Sequence, residues 1–344
     1  MNGHQTQMYQ EIMEIPCVVE RLLIEGAEDM RATAKSLREL DPAFIISVAR
    51  GSSDHVATYF KYASELLLGI PVASIGPSIA SIYKCEMALK RAACISISQS
   101  GKSPDILEMT RMATSMGVVS VAITNETTSP LANQSSHVLS LHAGTELSIA
   151  ATKTFVTSAV SAIWLLAEWA DDATLRTAIF DLPRTLEKAL NMDWSSVKNA
   201  INKDNSLFCL GRGPSLAIAH EAALKFKETC QIHAESYSSA EVLHGPVSIV
   251  GSGFPVIAFA AADDAAGNAI VEVADNLSKK EADVFITSEK LTRAHTLPVV
   301  RTGHPLTDPI ALITSFYVLV EQIASGMGKN PDAPRHLNKV TETV

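Results

Sequence analysis

Phe44-Ile-Ile-Ser-Val-Ala-Arg-Gly-Ser-Ser53 is the stretch that decides the fold. Its first six residues are an almost unbroken apolar run, the pattern of a strand covered on both faces. The run leads straight into a Gly/Ser turn. From Asp54 to Leu68 the pattern is helical, closed by Gly69 and Pro71. Strand, turn and helix make an α/β unit, and the helix start leaves backbone N–H groups open to an anion.

The same grammar recurs along the chain. Ala93–Ile97 reads as a strand, Ser98-Gln-Ser-Gly-Lys-Ser103 as a polar turn, and Pro104–Met116 as a helix with proline in its first turn. Val118–Thr124 and His137–Leu141 are further strands. Gly144-Thr-Glu146 comes next, then a long helix from about Thr152 to Trp169. Strands separated by helices of this length predict a parallel, doubly wound sheet. From Leu207 the pattern starts again: Leu207-Phe-Cys-Leu-Gly-Arg-Gly-Pro-Ser215 matches the strand and turn of Phe44–Ser53. After it come Val247–Val250, a buried strand at Phe254–Phe259, a helix from Ala265 to Lys280, a strand at Asp283–Thr287, and Leu297–Arg301. Pro309–Ser325 matches Thr152–Trp169 as the last long helix. Internal duplication of an α/β domain describes this most economically. The expected layout is a helical arm over 1–40, a first domain over 41–170, a helical linker over 171–203, a second domain over 204–330 and a proline-rich tail over 331–344.

Composition narrows the function. At 344 residues, 47% of them hydrophobic, the chain can build two cores. A formal charge of −9 with no Lys/Arg run removes the electrostatic footprint of a nucleic-acid binder. The five cysteines form no C-x-x-C and no Cys/His cluster, so neither a zinc site nor a disulfide framework is expected. The polar N-terminus lacks a signal-like apolar core. Apolar runs such as Phe254–Ala262 are too short to span a bilayer. A reduced, cytoplasmic setting is the expectation.

Chemistry concentrates in His220–Pro246. On a helix, Glu221, Lys225 and Glu228 share one face, while Ala219, Ala222, Ala223 and Phe226 form an apolar stripe. Two carboxylates flanking an ammonium suit proton transfer between neighbouring carbons. The alternative is an exposed ladder of intrahelical ion pairs, worth about 0.2–0.5 kcal/mol each. The next loop places His244 beside a Gly-Pro turn. Elsewhere, Ser98, Gln99, Ser100 and Ser103 with the next helix start could cradle a phosphate, and Gly51-Ser52-Ser53 supplies a second hydroxyl-rich turn. The competing reading is a polar loop with ordinary serine capping.

Several motifs together resemble the sugar isomerase (SIS) domains of glucosamine-6-phosphate synthases. They are Gly51-Ser52-Ser53, Ser98–Gly101, Ala143–Phe155, Leu210–Gly213, Glu221–Glu228, Ile232–Glu235, His244–Pro246 and Pro334–Lys339, and they run in order along the chain. The resemblance implies two tandem flavodoxin-like SIS domains. The chain matches the isomerase portion without the glutaminase domain, so it is expected not to draw ammonia from glutamine. The member that fits best is a SIS-type glucosamine-6-phosphate deaminase yielding fructose 6-phosphate and ammonia.

The resemblance also implies roles. Ser52, Ser53, Ser98, Gln99, Ser100 and Ser103 hold the sugar phosphate. Glu228 shuttles a proton between C1 and C2, Lys225 steadies the enolamine oxygen, and Glu221 orients Lys225. His244 opens the ring, reaching across from a second subunit of a homodimer. Lys339 meets the open-chain sugar and forms or stabilises an imine. Gly51, Glu146 and Ala151 are further substrate-contact candidates. Neither metal nor organic cofactor is expected. Departures from the synthase pattern, Leu243 for lysine, Ala151 for serine, and Lys102 and Pro104 for glutamate and alanine, leave the amino sugar open. Galactosamine 6-phosphate deamination and fructosamine-6-phosphate deglycation remain alternatives. So does a regulatory SIS module that binds a phosphosugar without reacting.

Overall fold

In the computed structural model, which describes residues 5–201 and 206–339, ten strands form two parallel five-stranded sheets. The first contains β1 (Phe44–Val48), β2 (Val72–Ser74), β3 (Ala92–Ile97), β4 (Val119–Thr124) and β5 (His137–Ser140), in the order β2-β1-β3-β4-β5. The second contains β6 (Leu207–Gly211), β7 (Ala234–Ser238), β8 (Pro255–Phe259), β9 (Asp283–Ile286) and β10 (His295–Thr296), in the order β10-β9-β8-β6-β7. Read from its other edge, the second order repeats the first. In both, the chain moves outward from its first strand to one side and then to the other, creating a switch point where ligands bind in open α/β sheets.

The chain divides into two compact units, each holding one sheet. One consists of Cys17–Glu146, Lys153–Phe180 and Leu337–Val344, the other of Met1–Pro16, Leu147–Thr152 and Asp181–His336. Five helices frame the sites and the cores: α1 (Ser52–Leu67), α2 (Pro104–Ser115), α3 (Lys153–Trp169), α4 (Ser215–Lys225) and α5 (Asp308–Gly326). Every residue of α3 except Glu168 is buried, which is why its sequence lacks a polar stripe. Helix α5 has 19 residues with a mean hydropathy of 1.3, long and apolar enough to cross a membrane and longer than the apolar runs counted from sequence. With 83% of it buried inside the fold, it is a core helix.

The duplicated turns show why particular residues occupy them. Gly51 has φ 55° and Gly213 has φ 58°, and a Cβ at either would meet no neighbour. Glycine is needed there for backbone angle, not for space. Gly211 is the reverse case: a Cβ would lie 2.4 Å from the Ser215 carbonyl oxygen, whereas the first repeat tolerates Ala49 at the matching place. Because Gly51 makes the reversal alone, α1 starts at Ser52, two residues before the sequence pattern indicates.

Other differences have local causes. Val247–Val250 falls largely within a 3-10 turn, Pro246–Ile249, which comes after Gly245 at φ 145°. Leu297–Arg301 forms no strand, and the edge strand is His295–Thr296. Strands β2 and β7 escape sequence detection because edge strands need not be apolar on both faces, and β7 reads Ala-Glu-Ser-Tyr-Ser.

Candidate active site

Helix α4 buries its charges. Its α-helical part ends at Lys225 and continues as a π-helical turn, Phe226–Cys230, in which the Thr229 hydroxyl donates to the Lys225 carbonyl at 2.7 Å. Such widened turns recur at functional sites. Lys225 Nζ lies 3.2 Å from Glu221 Oε1 and 2.5 Å from Glu228 Oε2. The side chains of Glu221 and Lys225 are 0% exposed and that of Glu228 is 19% exposed, so the reading as a solvated ion-pair ladder fails. Burial by itself would depress the ammonium pKa. The charges of Glu221 and Glu228, with their hydrogen bonds, outweigh it and hold Lys225 above the ordinary lysine value. Tyr317 of α5 completes the group, donating its hydroxyl to Glu221 Oε1 at 3.1 Å. No sequence signal marked Tyr317, because 96 residues separate the two. The arrangement is a buried, permanently charged lysine with one inaccessible carboxylate and one that reaches solvent. Only Glu228 is placed to exchange protons with a ligand.

The serine loop has the opposite character. Ser98 and Ser100 turn inward on the loop itself, accepting from the Gly101 N–H at 3.2 Å and the Lys102 N–H at 3.4 Å. Ser103 occupies the N-cap of α2 but makes no side-chain capping bond, so the simple capping reading does not account for it. Gly101, at φ 61°, packs its backbone where a Cβ would lie 2.1 Å from Ser129 Oγ, which fixes the loop. Ser52 and Ser53 begin α1 on the neighbouring strand, since β1 pairs with β3. The two loops are tied together by Arg50, whose Nε donates to Asp105 Oδ2 at 2.8 Å. Asp105 is buried and also accepts from the Ile106 N–H at 2.9 Å. Sequence reasoning overlooked it; its place in the first turn of a helix was the available signal. Asp54 in the first turn of α1 has its pKa raised, chiefly by burial, while His55 and Arg50 oppose the shift.

Glu146 and Lys339 form a third group in the same unit as the serine loop. The buried carboxylate of Glu146 accepts from Thr154 N at 3.1 Å and Thr154 Oγ1 at 2.6 Å, near the start of α3. Lys339 Nζ binds it at 2.9 Å. Gln99, Ser100, Glu146 and Lys339 line one cleft of about 530 Å³ with Arg21, Glu25, Lys102, Asn125, Ser140 and His142, among others.

The remaining candidates lie apart from these groups. His244 is exposed at the end of a 3-10 turn, Glu241–His244, with no hydrogen bond to the Glu221–Lys225–Glu228 group. Ala151 is half-buried in the Leu147–Thr152 segment. Gly51 is the exposed reversal before α1. Burial pushes the Cys94 thiol up to about 11 and Cys230 up to about 12, which keeps them protonated. No group of three or more metal-ligating side chains occurs among the described residues.

A family model described as SIS domain matches residues 24–168 and again 200–325. The chain is 32% identical over 348 residues to the glutamine–fructose-6-phosphate aminotransferase (isomerizing) of Sulfolobus acidocaldarius, covering 99% of this chain and 57% of that protein. It therefore spans little more than half the length of this relative. Among solved structures, a candidate phosphosugar isomerase from Silicibacter pomeroyi superposes with a TM-score of 0.92 at 58% identity, covering 95% of this chain and 100% of that one. Glucosamine-6-phosphate deaminase from Thermotoga maritima shares the fold, with a TM-score of 0.77 at 20% identity over 98% of this chain and 100% of that one.

Proposed function

The chain belongs to the SIS domain family, and from that premise we propose that it is a phosphosugar isomerase-type enzyme that deaminates glucosamine 6-phosphate. The observation that carries the proposal is the buried Glu221–Lys225–Glu228 group, with Lys225 Nζ at 3.2 and 2.5 Å from the two carboxylates. A module that only held a phosphosugar would have no use for a buried charge group of this kind, since isolated buried ions are costly unless paired.

In the proposed reaction the 6-phosphate binds at the start of α2, to Ser98, Gln99, Ser100 and Ser103, with Ser52 and Ser53 beside them. His244 opens the ring. Glu228 takes the proton from C2 of the open-chain amino aldehyde, giving an enolamine, and returns it to C1, giving a 2-imine. Lys225 stabilises the oxygen at C1 as charge develops there. Water then adds to C2 and ammonia leaves, so that glucosamine 6-phosphate and water become fructose 6-phosphate and ammonia. Lys339, held by Glu146, meets the open-chain carbonyl, and Gly51 and Ala151 supply backbone near the sugar. We further infer a cytoplasmic homodimer in which the exposed His244 serves the neighbouring subunit's substrate; sedimentation analysis checks the dimer. The relative from Sulfolobus is named for a glutamine-dependent reaction, so the decisive assay omits glutamine. Purified protein given glucosamine 6-phosphate should release ammonia and fructose 6-phosphate. Absence of ammonia from that sugar and from galactosamine 6-phosphate would refute deamination, and release of a free amine from a fructosamine 6-phosphate would move the assignment to deglycation.

A further inference from the structure

The cleft beyond the ends of β3, β4 and β5 holds more than the residues already given a role. Three cations, Arg21, Lys102 and Lys339, and three carboxylates, Glu25, Glu126 and Glu146, line it. Every carboxylate is already engaged. Glu25 Oε2 lies 2.8 Å from His142 Nδ1, Glu126 accepts from the Thr128 hydroxyl at 2.6 Å and its N–H at 3.3 Å, and Glu146 holds Lys339 at 2.9 Å. Arg21 and Lys102 are not engaged: neither side chain forms a hydrogen bond or ion pair among the described residues. Equal numbers of charges thus leave two unmatched cations, because local partners have taken the anions.

The wall opposite these cations is built rigidly. Asn125 donates to the Gly144 carbonyl at 2.7 Å and accepts from the Ala143 N–H at 3.1 Å. His142 sits at φ 48°, a left-handed conformation that costs a non-glycine residue of order 1 kcal/mol and persists where the surroundings enforce it. Gly144, at φ 67°, keeps the loop bare beneath Arg21, whose Nη1 would be 3.8 Å from a Cβ there.

We propose that Arg21 and Lys102 form an oxyanion subsite in this cleft, which takes a carboxylate or phosphate group other than the sugar 6-phosphate. A guanidinium offers paired donors to two oxygens of such a group and an ammonium adds a point charge. A cleft of about 530 Å³ is of the size that holds a small polar ligand. The identity of the neighbouring group rests on the amino-sugar phosphate reading; the subsite itself does not. Its anion comes either from an acidic substituent on the substrate nitrogen or from a separate small anion.

Calorimetric titration with inorganic phosphate tests this on protein saturated with 2-amino-2-deoxyglucitol 6-phosphate, an unreactive open-chain analogue. The native protein should bind one further phosphate. The double variant Arg21→Ala/Lys102→Ala should bind it about tenfold or more weakly, with its melting temperature and its affinity for the analogue unchanged. No further phosphate bound, or equal binding by the variant, overturns the subsite. If the analogue does not bind, the amino-sugar reading falls, and the comparison of native and variant with phosphate alone still decides the subsite. Fructosamine 6-phosphates carrying N-carboxymethyl or N-ethyl groups separate the two sources. A loss in the variant confined to the carboxylated compound assigns the anion to the substrate, and an equal response to both assigns it to a separate ligand.

Discussion

The turns after β1 and β6 share a glycine at φ 55° and 58°, an arginine before it and a serine two residues after it, yet the helices they launch carry opposite chemistry. Helix α1 opens with hydroxyls half in solvent and has no buried ion pair. Helix α4 packs against Gly211 so tightly that no side chain fits there, and it buries Glu221 and Lys225 completely. The arginines diverge too: Arg50 ties its loop to Asp105, while Arg212 Nη1 donates to Ser238 at 3.2 Å. One duplicated frame thus supplies an anion grip, which needs exposed donors, and a proton shuttle, which needs a desolvated charge to hold its partner's state. Backbone geometry was kept where it makes the turn, and side-chain environment was free to change.

The largest effect should come from the single accessible carboxylate. Glu228→Gln should lower kcat for deamination by about 10²–10⁴-fold with an unchanged urea midpoint. Ser103→Ala, its counterpart on the grip side, should act mainly through KM. Next is Lys225→Met, which strands Glu221 in the core and should cost about 3–5 kcal/mol in urea unfolding. Since the folded pKa of Lys225 is raised, its contribution is intact below about pH 10.5 and is lost as pH rises through the folded value; the variant should lack that alkaline loss. Gly211→Ala should cost about 1–3 kcal/mol by overpacking. The reciprocal Ala49→Gly should cost under about 1 kcal/mol, and equal costs would erase the packing distinction between the repeats. The smallest effect concerns the first sheet. His137, hydrogen-bonded to Ser36 at 2.9 Å, has its pKa lowered by burial. Protons therefore favour the unfolded chain, so stability should fall as pH drops below about 6.5. His137→Gln should flatten that slope.

Much of the frame was legible because parallel strands and their turns write themselves locally: Phe44–Ser53 and Leu207–Ser215 announced both sheets and their repetition. Edge strands did not, since β2 and β7 lack the apolar run that two covered faces demand. Among the functional candidates, the spacing of Glu221, Lys225 and Glu228 was readable but their burial was not. Periodicity cannot tell a charged face turned to water from one turned to Tyr317, which arrives from a distant helix. Asp105 and the Glu146–Lys339 pair were hidden for the same reason, being long-range closures that no local pattern encodes. Arg21 and Lys102 look like ordinary surface cations in sequence; only the engagement of nearby carboxylates singles them out.

Asp332 accepts from the N–H groups of Gln7 at 2.9 Å and Met8 at 2.7 Å, and Thr6 donates to Glu321 at 2.9 Å. During synthesis the helix Gln7–Met13 therefore waits until the segment around Glu321 and Asp332 has left the ribosome before it meets its partners. Closing so long a loop is slow, so the last stage of folding should be the docking of this helix. A circular permutant that links residue 344 to residue 1 and opens elsewhere should complete that stage early, and refolding kinetics of the two forms would expose the order of events.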